Sequence, residues 1–378
     1  MMIVKRVKDW ENTVQTLGRV YCDQQDYMYL GWTDTGVKFR YVGCELIALL
    51  EGICGTEKSE TEKDREIWPY LAVFVDDEEE PYKVFPVNKS SGQYLLYSSE
   101  KEEEHIIILR KLTENPKGKI KIIDFLGDGQ IKAIPKNKNQ LRIEFIGDSI
   151  TCGFGNMSED KDRAFYAEDE NGWMSHAAIA GRMLNAEVEL ISYSGISVTT
   201  GMCGEKWPIP DMASLYPYTD CLVQEYLHEG ILQEWNFMNN PKDVVVLNLG
   251  TNDAVVIDQG EDISGGIRRF EEDYYHLLEM IRCKNGKDTW IVCALGPLDY
   301  YLYDNIQKVE RHFAKEKQDL RITCFKYGKT LLKEGIAPCN HPTVQTQMRM
   351  AEEISGFIKE CILKEYIQVK RGNDNGNW

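Results

Sequence analysis

Four short blocks in the C-terminal two-thirds of the chain carry residue types that suit the cleavage of an ester. A serine hydroxyl is a poor nucleophile near neutral pH and needs a base, and histidine titrates in the right range for that task. The attacked carbonyl oxygen becomes an oxyanion, which needs fixed hydrogen-bond donors. In chain order the blocks are Gly147-Asp148-Ser149, Tyr193-Ser194-Gly195, Gly250-Thr251-Asn252-Asp253 and Asn340-His341-Pro342.

Together the blocks predict a complete set of roles. Ser149 is the predicted nucleophile and His341 the predicted base. The predicted oxyanion donors are the backbone N–H groups of Ser149 and Gly195 and the side-chain amide of Asn252. Each residue also has an ordinary structural interpretation, such as a loop serine, a histidine beside a helix, a turn glycine with positive φ or an asparagine N-cap. Asp148 and Asp253 are predicted to hold their loops through hydrogen bonds to backbone N–H groups and not to take part in proton transfer. The other five histidines lack such a context and are predicted to be structural or exposed: His105, His176, His228, His276 and His312.

The first three blocks follow runs of apolar residues that are typical of buried strands, and the fourth stands just before the last predicted helix. Strands alternating with helices predict a parallel sheet covered on both faces, a three-layer α/β/α fold. Ligands bind such sheets at the carboxyl ends of the strands, which is where the blocks fall. The predicted strands are 142–146, 188–191, 244–249, 290–295 and 321–325, and the clearest predicted helices are 172–185, 267–281 and 343–365.

The first third of the chain has a different pattern. From residue 19 to residue 134, short strands are broken by turns, and apolar and polar residues alternate in Gly36–Tyr41. The segments 70–75 and 82–87 flank an acidic turn and predict a hairpin, and further short strands are predicted at 94–97, 105–109 and 120–126. This predicts an antiparallel β-sandwich. The polar segment Pro135–Gln140 predicts a boundary between domains at residues 1–134 and 141–370. We expect the sandwich to brace the second domain and not to contact substrate, because its sequence offers no obvious aromatic platform.

Charge and composition exclude some classes of binding partner. The chain has 44 Lys and Arg against 61 Asp and Glu, a formal net charge of −17. An acidic surface repels nucleic acid and anionic membranes, so neither is expected as a partner. The opening residues lack the apolar core of a signal peptide, and the 11 cysteines form no CxxC pair. We therefore expect a cytoplasmic protein without a metal site, and the sequence leaves the oligomeric state open.

The four blocks, in this order, resemble those of the SGNH (GDSL) hydrolases. A β-sandwich joined directly to a domain that begins with GDSITCGFG resembles carbohydrate esterase family 2 in particular. The stretch from Gly31 to Phe39 is similar to the N-terminal jelly-roll domain of that family, though more loosely. The resemblance implies a cofactor-free enzyme that removes O-acetyl groups from plant polysaccharides or their oligosaccharides, of xylo- or manno-type, through an acyl-enzyme.

One position departs from the superfamily pattern. Most SGNH hydrolases carry an aspartate three residues before the histidine, and here that position is Pro338. Members of carbohydrate esterase family 2 are known to use a Ser–His dyad whose histidine is oriented by a backbone carbonyl or another group. The resemblance therefore implies a dyad here. Asn340 and Glu334 are the side chains considered as the orienting group.

Substrate contacts and alternative functions complete the predictions. Trp207 lies on the segment after Gly195 and could stack on a sugar ring or simply pack in the protein, and Tyr216 and Tyr218 are weaker candidates. One alternative is a short-chain lipase or thioesterase of the same superfamily. Another is a carbohydrate-binding protein whose hydrolase domain is weakened by the missing aspartate.

Overall fold

The computed structural model describes residues 2–6, 13–57, 65–76, 78–135, 137, 140–199 and 209–364. The strands are β1 Met2–Arg6, β2 Gln15–Leu17, β3 Tyr21–Cys22, β4 Met28–Leu30, β5 Gly36–Glu57, β6 Arg65–Ile67, β7 Tyr70–Val75, β8 Lys83–Pro86, β9 Gly92–Lys111, β10 Gly118–Gly127, β11 Gln130–Lys132, β12 Leu141–Gly147, β13 Ala186–Ser192, β14 Val244–Asn248, β15 Trp290–Leu295 and β16 Ile322–Lys326. The α-helices are α1 Ser149–Cys152, α2 His176–Leu184, α3 Met212–Leu215, α4 Cys221–Tyr226, α5 Thr251–Gln259, α6 Ile263–Asn285, α7 Tyr303–Lys317 and α8 Val344–Phe357. Short 3₁₀ turns cover Asn115–Lys117, Ala167–Asp169, Gly172–Met174, Leu332–Glu334 and Pro338–Asn340, and a π-helical segment, Ile358–Leu363, extends α8.

The first eleven strands form an antiparallel sheet in the order β3-β4-β10-β5-β9-β7-β8, with β1 beside β10 and with β2, β6 and β11 beside β5. In β5, Val37, Phe39 and Tyr41 are buried while Lys38 and Arg40 are partly exposed, which confirms the predicted alternation. Strands β7 and β8 pair antiparallel and confirm the predicted hairpin.

One long strand, β9, replaces the two short strands predicted at 94–97 and 105–109. The charged run between them is held at its two ends, because Ser98 pairs with Glu45 and Glu103 pairs with Gly43. The four residues from 99 to 102 stand opposite the single residue Cys44, and most of their side chains are exposed. The register shifts between Gly43 and Glu45, an irregularity that lets a long strand bend. The first part of the chain is thus antiparallel, as predicted. Its jelly-roll order and the domain boundaries stay predictions.

The second sheet is parallel, with the order β13-β12-β14-β15-β16. Its three central strands, β12, β14 and β15, are largely buried on both faces, and the edge strands β13 and β16 are partly exposed. Successive side chains alternate between two apolar clusters. In β14, Val245 and Leu247 pack with residues of α5, α6 and α7, and Val244 and Val246 pack with residues of α2 and α8. Helices on both faces of a parallel sheet give the predicted three layers.

Strand β12 lies at the point where the strand order reverses. The chain leaves β12 for β13 on one side and later returns to β14 on the other side. The two connections diverge at the carboxyl end of β12, and this topology opens a crevice there. Ser149, two residues beyond the end of β12, stands at that crevice.

Buried polar contacts join the two sheets. Arg19 forms an ion pair with Glu144 of β12 at 2.9 Å, and both side chains are fully buried. Trp32 donates its indole N–H to the carbonyl of Thr219 at 2.9 Å. A buried charge without a partner is strongly destabilising, so the Arg19–Glu144 pair fixes how the two parts pack. Within the described part of the chain, no helix combines the length and the apolar character that crossing a membrane requires.

Candidate active site

Ser149 is the first residue of α1, and the turn before it leaves no room for larger side chains. A Cβ added to Gly147 would lie 2.0 Å from Oγ1 of Thr151. Asp148 caps the helix, since its carboxylate accepts a hydrogen bond from the N–H of Ile150 at 2.9 Å. Burial raises the pKa of Asp148 to about 7. The predicted loop-holding role of Asp148 is confirmed.

His341 lies directly against Ser149. Its Nε2 is 2.7 Å from Oγ of Ser149, and its Nδ1 is 3.1 Å from the carbonyl oxygen of Pro338. A carbonyl only accepts hydrogen bonds, so Nδ1 carries the hydrogen in the neutral ring and Nε2 presents its lone pair to the serine hydroxyl. The structure thus brings together the two residues at the head of the sequence prediction, in the protonation state that a base requires.

The orienting carbonyl belongs to the residue that replaces the superfamily's aspartate. Cys339 and Asn340 both have left-handed backbones, with φ values of 55° and 62°, and they turn the chain so that the His341 ring faces back onto Pro338. Two such residues in succession cost of the order of 1 kcal/mol or more each. The two side chains considered from the sequence were wrong: Asn340 is exposed, and the carboxylate of Glu334 accepts hydrogen bonds from Thr346 and Arg349.

Two aromatic rings, which the sequence did not single out, hold the other side of the histidine. The ring centroid of Phe154 lies 4.5 Å from that of His341, and Phe165 stacks on Phe154 at 4.3 Å. The ammonium of Lys117 lies 4.5 Å from the centre of Phe165. The Phe154 ring covers part of the imidazole, which remains partly exposed. Burial lowers the pKa of His341 from 6.5 to about 4, and the nearby charge of Lys117 acts in the same direction.

This low pKa predicts the acid limb of the pH profile. Below about pH 4 His341 is protonated and cannot accept a proton from Ser149. We expect kcat/KM to rise with pH up to about 5 and then to stay level through neutrality. The measurement is kcat/KM on a chromogenic acetyl ester between pH 3 and 8, with enzyme held at each pH and re-assayed at pH 7 as the control for unfolding. An acid limb of the pH profile centred near pH 6.5 would contradict an imidazole whose pKa is lowered by burial.

Gly195 occupies a tight turn on the next loop. The N–H of Ile196 donates to the carbonyl of Tyr193 at 3.1 Å, and Gly195, the third residue of this turn, has φ of +82°. A type II turn requires this positive φ at its third position, and glycine adopts it without strain. The turn interpretation is therefore confirmed for Gly195. Its role as an oxyanion donor does not conflict with this conformation and stays a prediction.

Asn252 and Asp253 hold the same loop from the side of α5. The side-chain amide of Asn252 donates to the carbonyl of Ile196 at 2.8 Å, and the N-cap of α5 is Gly250, so the N-cap interpretation of Asn252 is wrong. An amide nitrogen has two hydrogens, and one bond leaves a second for an oxyanion. The carboxylate of Asp253 accepts from the N–H groups of Val198 and Thr199, at 3.1 and 3.0 Å, which confirms its predicted loop-holding role.

The three aromatic residues predicted to contact a sugar differ in where the structure places them. Trp207 lies outside the described residues. Tyr216 was a wrong candidate, because it is fully buried and its hydroxyl donates to Glu144 at 2.8 Å. Tyr218 is partly exposed and stays a prediction.

A buried cluster behind the site gathers atoms of the kinds that bind metal ions. Within the described residues, ligand atoms of Glu114, Cys152 and Glu170 lie within 4.8 Å of one another. The positive charges of Lys117 and Lys111 act on the same cluster and lower the pKa of Glu170 against the larger effect of burial, which raises it. Ammonium groups already supply the positive charge that a cation would bring, so we interpret the cluster as hydrogen-bonded structure.

Comparison with known proteins identifies similar sequences and structures. No family model matches the chain. A solved structure of a family 2 carbohydrate esterase from Clostridium thermocellum, in complex with cellohexaose, is 28% identical and superposes with a TM-score of 0.76. The alignment covers 92% of this chain and 98% of that one, so it includes both sheets. The chain is related to the family 2 carbohydrate esterases.

The names of two curated relatives agree with this similarity to carbohydrate esterases. The cellulase/esterase CelE of Acetivibrio thermocellus is 32% identical over 314 residues, which are 81% of this chain and 36% of CelE. The acetylxylan esterase / glucomannan deacetylase of Cellvibrio japonicus is 32% identical over 155 residues, 40% of each protein. The chain therefore spans well under half the length of the curated relatives that it matches.

Proposed function

We propose that the protein is a serine esterase that removes O-acetyl groups from plant-derived oligosaccharides of xylo- or manno-type. The observation that carries the proposal is the 2.7 Å contact between Nε2 of His341 and Oγ of Ser149, with Nδ1 of the same ring directed at the carbonyl of Pro338. The substrate class is supported by the relative named acetylxylan esterase / glucomannan deacetylase.

The proposed reaction has two halves. Oγ of Ser149 attacks the acetyl carbonyl carbon while Nε2 of His341 takes the hydroxyl proton. The N–H groups of Ser149 and Gly195 and the amide of Asn252 hydrogen-bond to the oxyanion. The C–O bond to the sugar then breaks, and His341 returns the proton to the leaving sugar oxygen. In the second half, His341 deprotonates a water molecule that attacks the acetyl-enzyme, and acetate leaves as Ser149 regains its proton.

The carbonyl of Pro338 takes over part of the role that an aspartate has in a Ser-His-Asp triad. It accepts the Nδ1 hydrogen and so fixes the tautomer and the ring plane, but it carries only a partial charge and stabilises an imidazolium less than a carboxylate does. The low pKa of His341 agrees with that weaker support. The close contact with Ser149 favours an active dyad over a binding protein with a weakened hydrolase domain.

The proposal extends to the parts of the chain around the site. Residues 1–134 would form a jelly-roll domain that braces a catalytic domain at residues 141–370, and Trp207 would stack on a sugar ring. A cytoplasmic location is also part of the proposal.

An acyl-chain series tests the function. We expect acetate release from acetylated xylo- or manno-oligosaccharides and a sharp fall in kcat/KM when the acyl group of a 4-nitrophenyl ester is longer than acetyl. The same oligosaccharides after chemical deacetylation provide the blank. Activity that rises with acyl length would favour the lipase alternative. Glycan binding without any ester hydrolysis would favour the binding protein.

A further inference from the structure

Glu114 reaches from the antiparallel-sheet part of the chain into the loops of the candidate site. It lies three residues beyond the end of β9 and is fully buried. Its Oε2 accepts a hydrogen bond from the backbone N–H of Ser194 at 2.7 Å. The thiol of Cys152 donates to the same oxygen at 3.6 Å. Burial and the charge of Glu114 raise the pKa of that thiol, so the sulfur keeps the hydrogen that it donates.

The two donors belong to the two segments that carry proposed oxyanion donors. Ser194 is the second residue of the turn whose third residue is Gly195. Cys152 is the last residue of α1, which begins at Ser149. One carboxylate oxygen therefore ties the Gly195 turn to the helix of the nucleophile. The bond from the Ser194 N–H is the shorter and stronger of the two, because a thiol is a weak donor.

Glu114 is itself held from several sides. The ammonium of Lys111 donates to the carbonyl of Glu114 at 3.0 Å and also to the carbonyls of Gly31 and Thr113. The backbone N–H of Glu114 donates to Oε1 of the buried Glu170 at 2.9 Å. Because its backbone is fixed, the side chain of Glu114 can impose a position on the loops that it contacts.

The Gly195 loop is thus held on both sides. Asn252 and Asp253 bind it from α5, within the parallel-sheet part. Glu114 binds it from the antiparallel-sheet part. We propose that Glu114 is a positioning residue that sets the oxyanion hole by fixing the Gly195 turn against α1, an inference that rests on the proposed esterase function. The first part of the chain then contributes to the rate of the reaction as well as to packing.

The neighbouring residue offers a matched control. Asn115 is also fully buried, and its side-chain amide donates to both carboxylate oxygens of Asp220 at 2.9 and 3.0 Å. Asp220 caps α4 through the N–H of Val223. Asn115 therefore makes a buried polar contact across the same interface, but it contacts α4 and not the loops of the site.

The experiment compares Glu114→Ala, Glu114→Gln and Asn115→Ala in the full chain. Each variant is assayed with 4-nitrophenyl acetate and with the corresponding thionoacetate, in which sulfur replaces the carbonyl oxygen and is a poorer hydrogen-bond acceptor. We expect Glu114→Ala to lower kcat on the acetate by roughly 10- to 100-fold, less than the 10²–10³ cost of deleting one donor outright. KM should change little, and the preference for the oxygen ester over the sulfur ester should fall. Glu114→Gln keeps an acceptor oxygen and should recover most of the loss.

The outcomes separate three conclusions. If Asn115→Ala keeps the wild-type oxygen-to-sulfur preference while Glu114→Ala loses it, Glu114 acts through the oxyanion hole. If both variants lose kcat equally and both keep the preference, the role of Glu114 is structural and the inference is wrong. A wild type that hydrolyses neither ester overturns the proposed function, and this inference with it. Should Glu114→Ala not fold, Glu114→Asp decides, because it keeps a carboxyl group but withdraws it by one methylene from the Ser194 N–H. A fall in the oxygen-to-sulfur preference of that variant supports the inference, and an unchanged preference overturns it.

Discussion

Replacing Ser149 with alanine will abolish acetate release, lowering kcat by roughly 10⁶-fold, as in serine hydrolases that lose the nucleophile. Without Oγ no acetyl-enzyme can form, and only the oxyanion donors remain to assist attack by water. The fold should persist, because Ser149 is small and the cap of α1 is provided by Asp148.

The measurement is kcat on an acetylated xylo-oligosaccharide, together with labelling by a fluorophosphonate followed by mass spectrometry. Wild type should gain the label at Ser149, and Ser149→Ala should not. Ser355→Ala is the matched control, since Ser355 is another buried serine on a helix, with its hydroxyl bonded to the carbonyl of Glu352. Equal rates in wild type and Ser149→Ala would remove Ser149 from the reaction.

The parallel sheet could be predicted closely because its central strands are largely buried on both faces. A short, continuous apolar run such as Trp290–Leu295 is typical of a strand covered on both faces, and its predicted bounds match β15. The middle of β9 could not be predicted in the same way. Its charged side chains are mostly exposed, and it joins the strand because the residues on both sides of it, Ser98 and Glu103, pair with β5. The pattern of apolar and polar side chains in a sequence indicates which residues are buried. The pairing of backbones in a sheet has no comparable signal in the sequence.

The same distinction runs through the site. Ser149 and His341 could be paired from the sequence, because a serine nucleophile needs a base and the four blocks stand in the order that the SGNH hydrolases share. The orienting role of the Pro338 carbonyl could not be predicted from the sequence, because the direction of this carbonyl depends on the left-handed backbones of Cys339 and Asn340. Its sequence position, three residues before the histidine, was the available signal. Glu114 could not be found either, because it meets Ser194 across 80 residues and across two sheets that fold on separate patterns.

Replacing His341 with alanine will lower kcat by roughly 10⁶-fold, about as much as Ser149→Ala, and the double variant will be no slower than Ser149→Ala alone. The reason is that a nucleophile and its base act as a unit, so removing either one disables the other. The two losses would multiply only if His341 contributed something independent of Ser149, such as binding the sugar.

The test is kcat for wild type, both single variants and the double variant on one acetyl ester, with His312→Ala as the control. His312 is exposed on α7, 3.2 Å from Glu316, and its removal should leave kcat unchanged. Added imidazole should restore part of the activity of His341→Ala, because the space between the Phe154 ring and the Pro338 carbonyl would then hold a free base in the same orientation. Multiplied losses without rescue would show that the Ser149–His341 contact is not what activates the serine.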